Sequence, residues 1–428
     1  MLSLLESFQS RGLIHDVSNF DTLNNLLAKE KFTFYCGFDP TADSLHVGSM
    51  LPLILMRRLQ AAGHRPIVLL GSATGMIGDP SGKSTERQLL SAEQIEENLA
   101  GIRKQLLPFF IESKENPLEI VENHQWLGCL NLLEYLRDVG KHFSVNSMIL
   151  KDSVKSRLEA REQGISYTEF SYQILQAYDF YWLYQNKNCK LQVGGSDQWG
   201  NITAGIDFVK KKLQNPHTPV FGMTFPLLTT ASGTKFGKSE QGTIWLDAKK
   251  TSPYRFYQYW LNTEDADVIR YLSLFTETSS DELDELAATV QKHPEERKAQ
   301  KALAETLTRL VHGTHETEQA ILASKAFFDG DIAALSEDTL REVFSHVPST
   351  IIKRTELDVG IPLVDIMVLS KLAKSKAEAR RAIEGGGIYL NDKRVSDSSL
   401  LLTKEHLLTN DMLILRQGKK NYHLLNLQ

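Results

Sequence analysis

The sequence is poor in cysteine and contains no long apolar segment. Its three cysteines, Cys36, Cys129 and Cys189, lie far apart and form no C-x-x-C pair. This pattern excludes a disulfide framework and a cysteine-based zinc site, and it indicates a reducing compartment in which the cysteines are small buried apolar residues. No segment reaches the roughly 18 uninterrupted apolar residues of a membrane-spanning helix.

The N-terminal segment lacks the features of a targeting sequence. It has no basic stretch followed by an apolar core, and it carries acids at Glu6 and Asp16. A secretory signal needs the basic stretch and the apolar core, and a transit peptide is poor in acids. We therefore expect a cytoplasmic protein with no membrane partner.

The net charge of −5 is too small to indicate a nucleic-acid partner by itself. Its distribution is uneven, because residues 351–428 contain 13 lysines and arginines against 9 aspartates and glutamates. This C-terminal segment is therefore basic, and the rest of the chain is acidic. Such an arrangement favours a polyanionic partner for the C-terminal segment.

With 428 residues the chain is too long for one ordinary core. Through residues 1–250, buried apolar segments such as Phe32–Phe38, Pro66–Leu70 and Leu191–Val193 alternate with amphipathic segments. This alternation predicts an α/β domain with a Rossmann-like, doubly wound parallel sheet. Ligands of such sheets bind beyond the carboxyl ends of the strands, so the residues that follow each strand are the candidates for a site.

The remaining sequence predicts three further parts. Residues 251–345 read as an α-helical domain, in which Ser279 and Glu282 form a capping box at a helix start. Residues 346–361 read as a linker. Residues 362–428 read as a small α+β module.

The first candidate site is a strand–turn–helix junction. The strand that ends near Gly37 is followed by His46–Ser49 and then by Pro52, which is harmless in the first turn of a helix. Ser49 is a natural N-cap, and exposed N–H groups at a helix start suit phosphates. Gly37 and Gly48 let a nucleotide lie against the backbone. The alternative is that His46 is a cap or a surface residue.

The second candidate is the basic, glycine-rich loop Gly233–Ser239, which follows the strand-like segment Thr224–Thr230. Lys235 and Lys238 are usually explained as solvated surface charges on a mobile loop. Beside a polyphosphate, however, they could close over it and neutralise its charge. A third segment, Gly78–Ser84, is similar to a phosphate-binding P-loop but has three residues between its glycines instead of four, one of them a proline without an N–H group.

These segments together resemble the class I aminoacyl-tRNA synthetases, and within them the bacterial-type tyrosyl-tRNA synthetases. His46–Ser49 stands where that class has its His-Ile-Gly-His signature, and Lys235–Ser239 stands where it has Lys-Met-Ser-Lys-Ser. Four other segments resemble the tyrosine-specific branch: Tyr35–Thr41, Gly78–Gly82, Tyr172–Asp179 and Gly194–Ile202. The resemblance extends essentially from end to end, and the joint order and spacing of the motifs make it specific.

The resemblance implies a tyrosine pocket. Tyr35 and Asp179 match the pair that holds the substrate phenol. Three residues match the group that holds the α-ammonium: Asp79, Tyr172 and Gln176. Gln198 matches a further polar group of the pocket. A buried carboxylate that accepts the phenol hydrogen bond is left unsatisfied by a ligand without a hydroxyl.

The resemblance also implies an ATP site without a catalytic nucleophile. It assigns ATP binding to Gly37, Asp39, His46, Gly48, Ser49, Gly195, Asp197 and Lys238, with Asp39 beside the adenosine. The residues that match the group gripping the pyrophosphate end are Thr41, His46, Lys83, Arg87, Lys235 and Lys238. Positioning and charge stabilisation then supply most of the rate. Mg²⁺ is implied only as part of the ATP complex, since no protein-only metal cage is visible.

One position departs from the family pattern, because Ser49 stands where the family usually has histidine. Serine can donate a hydrogen bond, but it is shorter and carries no charge. This departure affects one nucleotide contact and the turnover rate, and it leaves the reaction itself unchanged.

The C-terminal module resembles the S4-type RNA-binding module. We expect Ser370 to cap a helix over Lys371–Glu384 that ends at Gly385–Gly387, followed by two short strands within Ile388–Val395. The predicted RNA-binding residues are Lys371, Lys374, Lys376, Arg380 and Arg381. The alternative is a solvated charged helix. In the resembled family this module engages tRNA, mainly through phosphate and RNA shape.

The resemblance implies an ATP-dependent ligase specific for tyrosine and its tRNA, acting as a homodimer. Trp126–Met148 is a plausible contact region between the two copies, although an ordinary core helix explains it equally well. One alternative is the related tryptophan-specific enzyme. The other is a non-catalytic RNA-binding paralogue that has kept the fold.

Overall fold

The computed structural model describes residues 2–82, 89–159, 164–231, 233, 236–239, 242–329, 332, 335, 337–344, 347–418 and 421–428, with the side chains of residues 152, 153, 156, 159, 238, 239 and 326–329 excepted. The described residues form two compact units. One comprises Met1–Ser252 and Tyr259–Val311, and the other comprises Pro253–Gln258 and His312–Gln428.

A six-stranded sheet forms the centre of the first unit. Its strands are β1 (Asp16–Val17), β2 (Thr33–Phe38), β3 (Arg65–Leu70), β4 (Glu119–Glu122), β5 (Cys189–Gly195) and β6 (Phe221–Phe225). They lie in the order β1-β6-β5-β2-β3-β4, and all pairs are parallel except β1 with β6. The chain therefore winds outward from β2 through β3 and β4, and then in the other direction through β5 and β6. This confirms the predicted doubly wound parallel sheet.

Helices cover the sheet because strands of a parallel sheet are buried on both faces. The helices in this part of the chain are α1 (Leu4–Ser10), α2 (Phe20–Lys29), α3 (Met50–Ala61), α4 (Ala92–Leu106), α5 (His124–Leu127), α6 (Leu132–Glu134), α7 (Val145–Ile149), α8 (Asp152–Glu159), α9 (Tyr167–Lys187) and α10 (Trp199–Lys212). Of these, α3, α9 and α10 make the main contacts with the strands. Ser166 caps α9, because its side chain accepts a hydrogen bond from the Glu169 N–H, and Asn188 ends this helix in the left-handed conformation. A short hairpin, β7 (Lys238–Ser239) with β8 (Gly242–Thr243), follows β6.

The described residues from 253 to 344 contain helices and no strand, as the sequence predicts for this part of the chain. The helices are α11 (Pro253–Leu261), α12 (Asp265–Phe275), α13 (Ser280–Lys292), α14 (Lys298–Asp329) and α15 (Glu337–Val343). The predicted capping box of Ser279 and Glu282 is present at the start of α13. Segment α14 consists of two helices that meet at Gly313, whose φ is +85°.

The second unit contains a five-stranded sheet whose buried residues pack against helices. Its strands are β9 (Ser349–Ile352), β11 (Ile388–Leu390), β12 (Lys393–Val395), β14 (Met412–Gln417) and β15 (Asn421–Leu427), and β10 (Ile361–Pro362) pairs separately with β13 (Leu401–Leu402). The sheet order is β12-β11-β14-β15-β9, with only β15 and β9 parallel. The helices of this part are α16 (Arg354–Val359), α17 (Leu363–Leu369) and α18 (Lys376–Glu384).

Three local predictions are corrected. Part of the predicted linker, residues 349–359, forms β9 and α16 instead, and the other predicted domain boundaries stay predictions. The predicted strand over Thr224–Thr230 is wrong beyond Phe225, where β6 ends. Ser370 caps no helix start, because it is the C-cap of α17, and Ser375 caps α18 through the Glu378 N–H.

Candidate active site

A cavity of about 410 Å³ opens at the carboxyl ends of β2 and β5, where the winding of the sheet reverses. Open α/β sheets bind ligands at such a switch point. Thirteen predicted site residues line it: Tyr35, Gly37, Asp39, Thr41, His46, Gly48, Ser49, Asp79, Tyr172, Gln176, Asp179, Gly195 and Gln198. The structure therefore brings together residues that are more than one hundred positions apart in the sequence.

The lining of the cavity can be compared only with the predicted residues that the structure describes. Lys83, Arg87 and Lys235 lie outside the described residues, as does the side chain of Lys238. The carboxylate of Asp197 lies close to Gly195 and Gly82 at the edge of the cavity, since a methyl group built on Gly82 would be 3.3 Å from Asp197 Oδ2. Burial raises the pKa of the Asp197 carboxyl, and the neighbouring Asp79 raises it further.

The deepest polar groups of the cavity are Tyr35 and Asp179. Tyr35 is 1% exposed, and within the described part of the chain its hydroxyl has no hydrogen-bond partner. The carboxyl of Asp179 accepts hydrogen bonds from Trp126 Nε1 (2.7 Å) and Asn123 Nδ2 (3.1 Å). Burial raises the pKa of Asp179 to about 8, and these two donors partly oppose the rise.

A second carboxyl, that of Asp39, contacts Tyr172, which the resemblance assigns to the ammonium site. Asp39 Oδ2 accepts a 2.8 Å hydrogen bond from the Tyr172 hydroxyl, and Asp39 Oδ1 accepts one of 2.9 Å from Thr74 Oγ1. Burial and the negative charge of Asp39 raise the pKa of Tyr172 well above its ordinary value. The Tyr172 hydroxyl therefore stays protonated and connects Asp39, predicted beside the adenosine, to a residue predicted to hold the ammonium group.

Hydrogen bonds connect Gln176, Gln198 and Asp79, and Asn201 forms the link between the two glutamines. Gln198 Nε2 donates to Asp79 Oδ2 at 2.7 Å, and the Ser81 N–H donates to Asp79 Oδ1 at 2.9 Å. Asn201 Nδ2 donates to Gln176 Oε1 (3.2 Å) and to Gln198 Oε1 (3.3 Å). This network fixes the side chains of the cavity wall before any ligand is bound.

A short 3-10 turn, Val47–Ser49, precedes α3, and His46 caps it. His46 Nδ1 accepts a 3.0 Å hydrogen bond from the Gly48 N–H, whereas the side chain of Ser49 makes no capping bond. A methyl group on Gly48 would lie 2.7 Å from His46 Cε1, so the close approach requires glycine. Ser49 therefore occupies the predicted N-cap position of α3, but its side chain forms no capping hydrogen bond.

The described part of the basic loop is anchored on both sides. Phe236 is buried and packs against an aromatic cluster that includes Tyr271 (5.2 Å between ring centroids) and Phe275 (5.7 Å). On the other side, a methyl group built on Gly237 would lie 3.0 Å from Val47 Cγ2, so the loop backbone packs directly on the segment that carries His46.

Trp245 is a cavity residue that the sequence analysis did not identify. It pairs with His46 in an antiparallel β-bridge, and the two rings meet edge to face at 6.3 Å. The ammonium group of Lys250 lies 5.5 Å from the centre of the indole ring and 2.7 Å from Asp43 Oδ1. The segment that follows the basic loop therefore contacts His46 through Trp245.

The sequence analysis also did not identify four residues that hydrogen-bond to side chains of the cavity: Thr74, Asn123, Trp126 and Asn201. Thr74 follows β3 and Asn123 follows β4, so the expectation that ligand groups lie just after parallel strands could have found both. Trp126 and Asn201 lie within helices, and no sequence signal distinguishes their buried polar contacts from ordinary packing.

The second unit contains the predicted RNA-binding residues. Lys376, Arg380 and Arg381 lie on α18, and Lys376 Nζ forms a 2.6 Å ion pair with Asp365 Oδ1. Lys371 and Lys374 precede the helix instead of lying on it, because α18 begins five residues later than expected. Lys374, Arg380 and Arg381 are exposed.

Among the described residues there is no group of three or more His, Cys, Asp or Glu side chains that could hold a metal ion. In the same part of the chain, no helix is both long enough and apolar enough to span a membrane.

Comparison with known proteins agrees with this geometry. Residues 27–329 match the family model of tRNA synthetases class I (W and Y), which places the chain in that class. Residues 339–425 match the SYY-like C-terminal domain of tyrosine–tRNA ligase. A tyrosine–tRNA ligase of Bacillus caldotenax is 50% identical over 425 residues, or 99% of both chains, and tyrosine–tRNA ligase 1 of Bacillus subtilis strain 168 is equally similar. The chain belongs to the tyrosine–tRNA ligase family.

Solved structures support the same fold. A C-terminally truncated mitochondrial tyrosyl-tRNA synthetase of Aspergillus nidulans superposes with a TM-score of 0.70 at 33% identity, over 77% of this chain and 95% of that one. A tryptophanyl-tRNA synthetase of Plasmodium falciparum superposes with a TM-score of 0.54 at 17% identity, over 79% of this chain and 87% of that one. The second likeness concerns the fold alone, so the fold does not distinguish the two amino acids.

Proposed function

We propose that this chain activates L-tyrosine with ATP to tyrosyl-adenylate, releases pyrophosphate, and transfers the tyrosyl group to the 3′ end of a tyrosine-accepting tRNA. The observation that carries the proposal is the placement of Tyr35 and Asp179 in one cavity at the switch point of the sheet. A phenol hydroxyl both donates and accepts, and these two side chains supply an acceptor and a donor. Full-length similarity to tyrosine–tRNA ligases supports the same reaction.

Selection of tyrosine follows from the cost of leaving buried polar groups unpaired. A phenylalanine ring in the same position would leave the Tyr35 hydroxyl without a partner and would give nothing to the Asp179 carboxyl. A tyrosyl enzyme is the standard example of this effect, with discrimination of about 10⁵ against phenylalanine. Tryptophan is larger and has no group that both donates and accepts.

The first step needs positioning and positive charge from the protein. The tyrosine carboxylate attacks the α-phosphorus in line, and pyrophosphate leaves, so no side chain has to form a covalent bond. Asp79, Tyr172 and Gln176 hold the α-ammonium group, with Asp39 behind Tyr172. His46 and the loop lysines stabilise the charge on the phosphates. ATP enters as its Mg²⁺ complex, in which the phosphates supply oxygen ligands.

We also propose that the chain acts as a homodimer through the surface between residues 132 and 158. Four apolar side chains of this segment are strongly exposed: Leu132 (68%), Leu133 (74%), Val145 (56%) and Leu150 (73%). Clusters of exposed apolar residues of this kind mark interaction surfaces, and most soluble oligomers are closed assemblies of one chain.

The dimer is tested with Leu133→Asp and a matched control, Leu107→Asp, which alters an equally apolar and 63% exposed position outside the surface. Light scattering after size-exclusion chromatography is expected to show half the wild-type mass for the first variant and the full mass for the second. A monomeric wild type would contradict the proposal.

The tRNA is expected to bind the C-terminal unit through the exposed basic residues on and before α18. Lys374, Arg380 and Arg381 suit phosphate contacts, which set affinity without reading sequence. We place the chain in the cytoplasm because its three cysteines form no disulfide, which fits a reducing compartment.

The reaction is tested by ATP–pyrophosphate exchange with tyrosine, tryptophan and phenylalanine in turn, with Lys238→Ala as a control. We expect exchange with tyrosine alone and its loss in the variant. Exchange with tryptophan would keep the fold and overturn the pocket assignment. A folded chain that binds tRNA but exchanges with none of the three would identify a non-catalytic RNA-binding paralogue.

A further inference from the structure

The second unit contains a groove of about 720 Å³ at one end of its five-stranded sheet. At this end β14 finishes at Gln417, while β9 and β15 begin at Ser349 and Asn421. One wall is the segment 369–372 that follows α17. No part of the proposed reaction uses this groove.

The base of the groove is polar and neutral. His423 is 5% exposed, and its Nε2 forms a 2.8 Å hydrogen bond with Thr350 Oγ1. Burial lowers the pKa of His423, so the ring is uncharged at neutral pH. Ser349, Gln417 and Asn421 add further neutral donors and acceptors. A ligand that fits these groups is neutral and has donors and acceptors along its edge.

The wall of the groove adds apolar surface. The side chain of Leu369 is 59% exposed at its rim, and Leu372 lies beside it. An exposed leucine beside a polar floor suits a flat ring that has an apolar face and a polar edge. A nucleobase has this combination, and proteins read unpaired RNA bases by contact with the face and hydrogen bonds to the edge.

Lys371 supplies the positive charge at the rim. Among the described residues that line the groove, it is the only one with a permanent charge. Its φ of +59° is left-handed and places it just after the end of α17, where glycine is the favoured residue. This conformation ends α17 and leaves Lys371 among the residues that line the groove.

We propose that this groove holds one unpaired nucleotide of the bound RNA, with the base against Leu369 and the polar floor and a flanking phosphate at Lys371. The inference rests on the proposed tRNA function and adds to it a contact that reads a base. Lys374 follows three residues later, and Arg380 and Arg381 continue the exposed basic surface, so neighbouring phosphates have partners.

The groove is filled with Ser349→Trp in the full-length chain, and Ile351→Trp is the matched control. Ile351 is on the same strand and 63% exposed but does not line the groove. Filter binding of a tyrosine-accepting tRNA transcript is expected to weaken roughly tenfold for Ser349→Trp, the usual loss for one base contact, and to stay unchanged for Ile351→Trp. Both variants should retain tyrosine-dependent pyrophosphate exchange, which shows that the first unit is folded, and wild-type amide hydrogen exchange in residues 347–418, which shows that the second unit is folded.

Salt dependence separates the base contact from the phosphate contact. Ser349→Trp should leave the slope of log affinity against log salt unchanged, because a base carries no charge. Lys371→Gly should reduce the slope by about 1, since one phosphate contact is lost. The same variant should slow amide hydrogen exchange in the C-terminal unit, because glycine adopts the left-handed conformation without strain.

The bound nucleotide is identified with transcripts in which each unpaired nucleotide is made abasic in turn. One position should weaken binding to the wild type roughly tenfold and have no further effect in Ser349→Trp. If Ser349→Trp binds the transcript as tightly as the wild type, or if no abasic position depends on the groove, the inference is overturned while the proposed function stands. A wild type that binds no tRNA would overturn both.

Discussion

The Tyr172 hydroxyl donates a 2.8 Å hydrogen bond to Asp39 Oδ2, across 133 positions of the sequence. Asp39 also accepts from Thr74, and Thr74 Oγ1 accepts from Asn123 Nδ2, which donates to Asp179 as well. One chain of hydrogen bonds therefore connects the carboxyl beside the predicted ammonium site to the carboxyl beside the predicted phenol site. Buried networks of this kind fix all their members in one arrangement.

Replacing Tyr172 by phenylalanine removes the hydroxyl that joins Asp39 to the cavity. We expect KM for tyrosine in pyrophosphate exchange to rise about tenfold, because a buried carboxylate loses a donor and the ammonium group loses a partner. KM for ATP should change much less. Tyr184→Phe, a partly buried residue outside the cavity, is the control and should match the wild type. Equal tyrosine KM values for all three proteins would contradict the assignment.

The raised pKa of Asp179 predicts an unusual pH dependence of stability. Burial moves this pKa from its ordinary value of 3.8 to about 8. Between these values the folded chain keeps a proton that the unfolded chain has lost, so the contribution of Asp179 to stability falls as the pH rises. Asp179→Asn removes the titration. Its stability relative to the wild type should therefore rise from pH 5 to pH 8.5, by an amount on the order of a few kcal/mol.

Urea unfolding followed by tryptophan fluorescence is the measurement for Asp179→Asn. All five tryptophans lie in the first unit, so the signal reports that unit alone. Parallel pH profiles for the wild type and the variant would show that Asp179 is already ionised at low pH.

Trp245→Leu tests the contact between the Trp245 ring and the His46 ring. We expect KM for ATP to rise several-fold while KM for tyrosine is unchanged, because the indole edge positions His46 and lies away from the tyrosine end of the network. Trp245→Phe keeps an aromatic edge and should recover most of the affinity. If Trp245→Leu only lowers the unfolding midpoint and leaves both KM values alone, the residue has a structural role only.

Glu169→Gln tests a buried ion pair at the start of the helix that carries Tyr172, Gln176 and Asp179. Glu169 and Arg157 are each 1% exposed, and Arg157 Nη2 lies 2.9 Å from Glu169 Oε2. The variant leaves a buried guanidinium without its counter-charge, and we expect a loss of about 3 kcal/mol in the free energy of unfolding.

The control for this pair is the double replacement Arg157→Met with Glu169→Leu, which removes both charges. It should be clearly more stable than Glu169→Gln, because an apolar pair has no desolvation cost. The measurement is again urea unfolding by tryptophan fluorescence. A double variant as unstable as the single one would show that packing, and not charge, dominates at this position.

Local sequence patterns were sufficient for the sheet and for the strand–turn–helix junction at His46, whereas most of the other cavity residues were predicted only from the family resemblance. Gly37, Asp39 and His46 follow a buried apolar segment, and the rule that parallel strands direct their ends to a common edge brings them together. The same rule would have found Thr74 and Asn123, which also follow strands.

The remaining contacts depend on which side chains face one another, and local patterns do not contain that information. Ser49 occupies the predicted N-cap position of α3 but makes no capping bond, whereas His46 caps the turn before it. Ser370 and Ser375 were both suitable caps for the C-terminal helix. The left-handed conformation of Lys371 decided between them by ending one helix before the next begins.

The anchoring of Phe236 has a consequence for how the chain is made. The aromatic cluster that holds this residue includes Tyr271 and Phe275, whereas the cavity wall is complete at Trp245. Phe236 therefore reaches its packed position only after the chain has been synthesised through Phe275, about 40 residues beyond the loop itself.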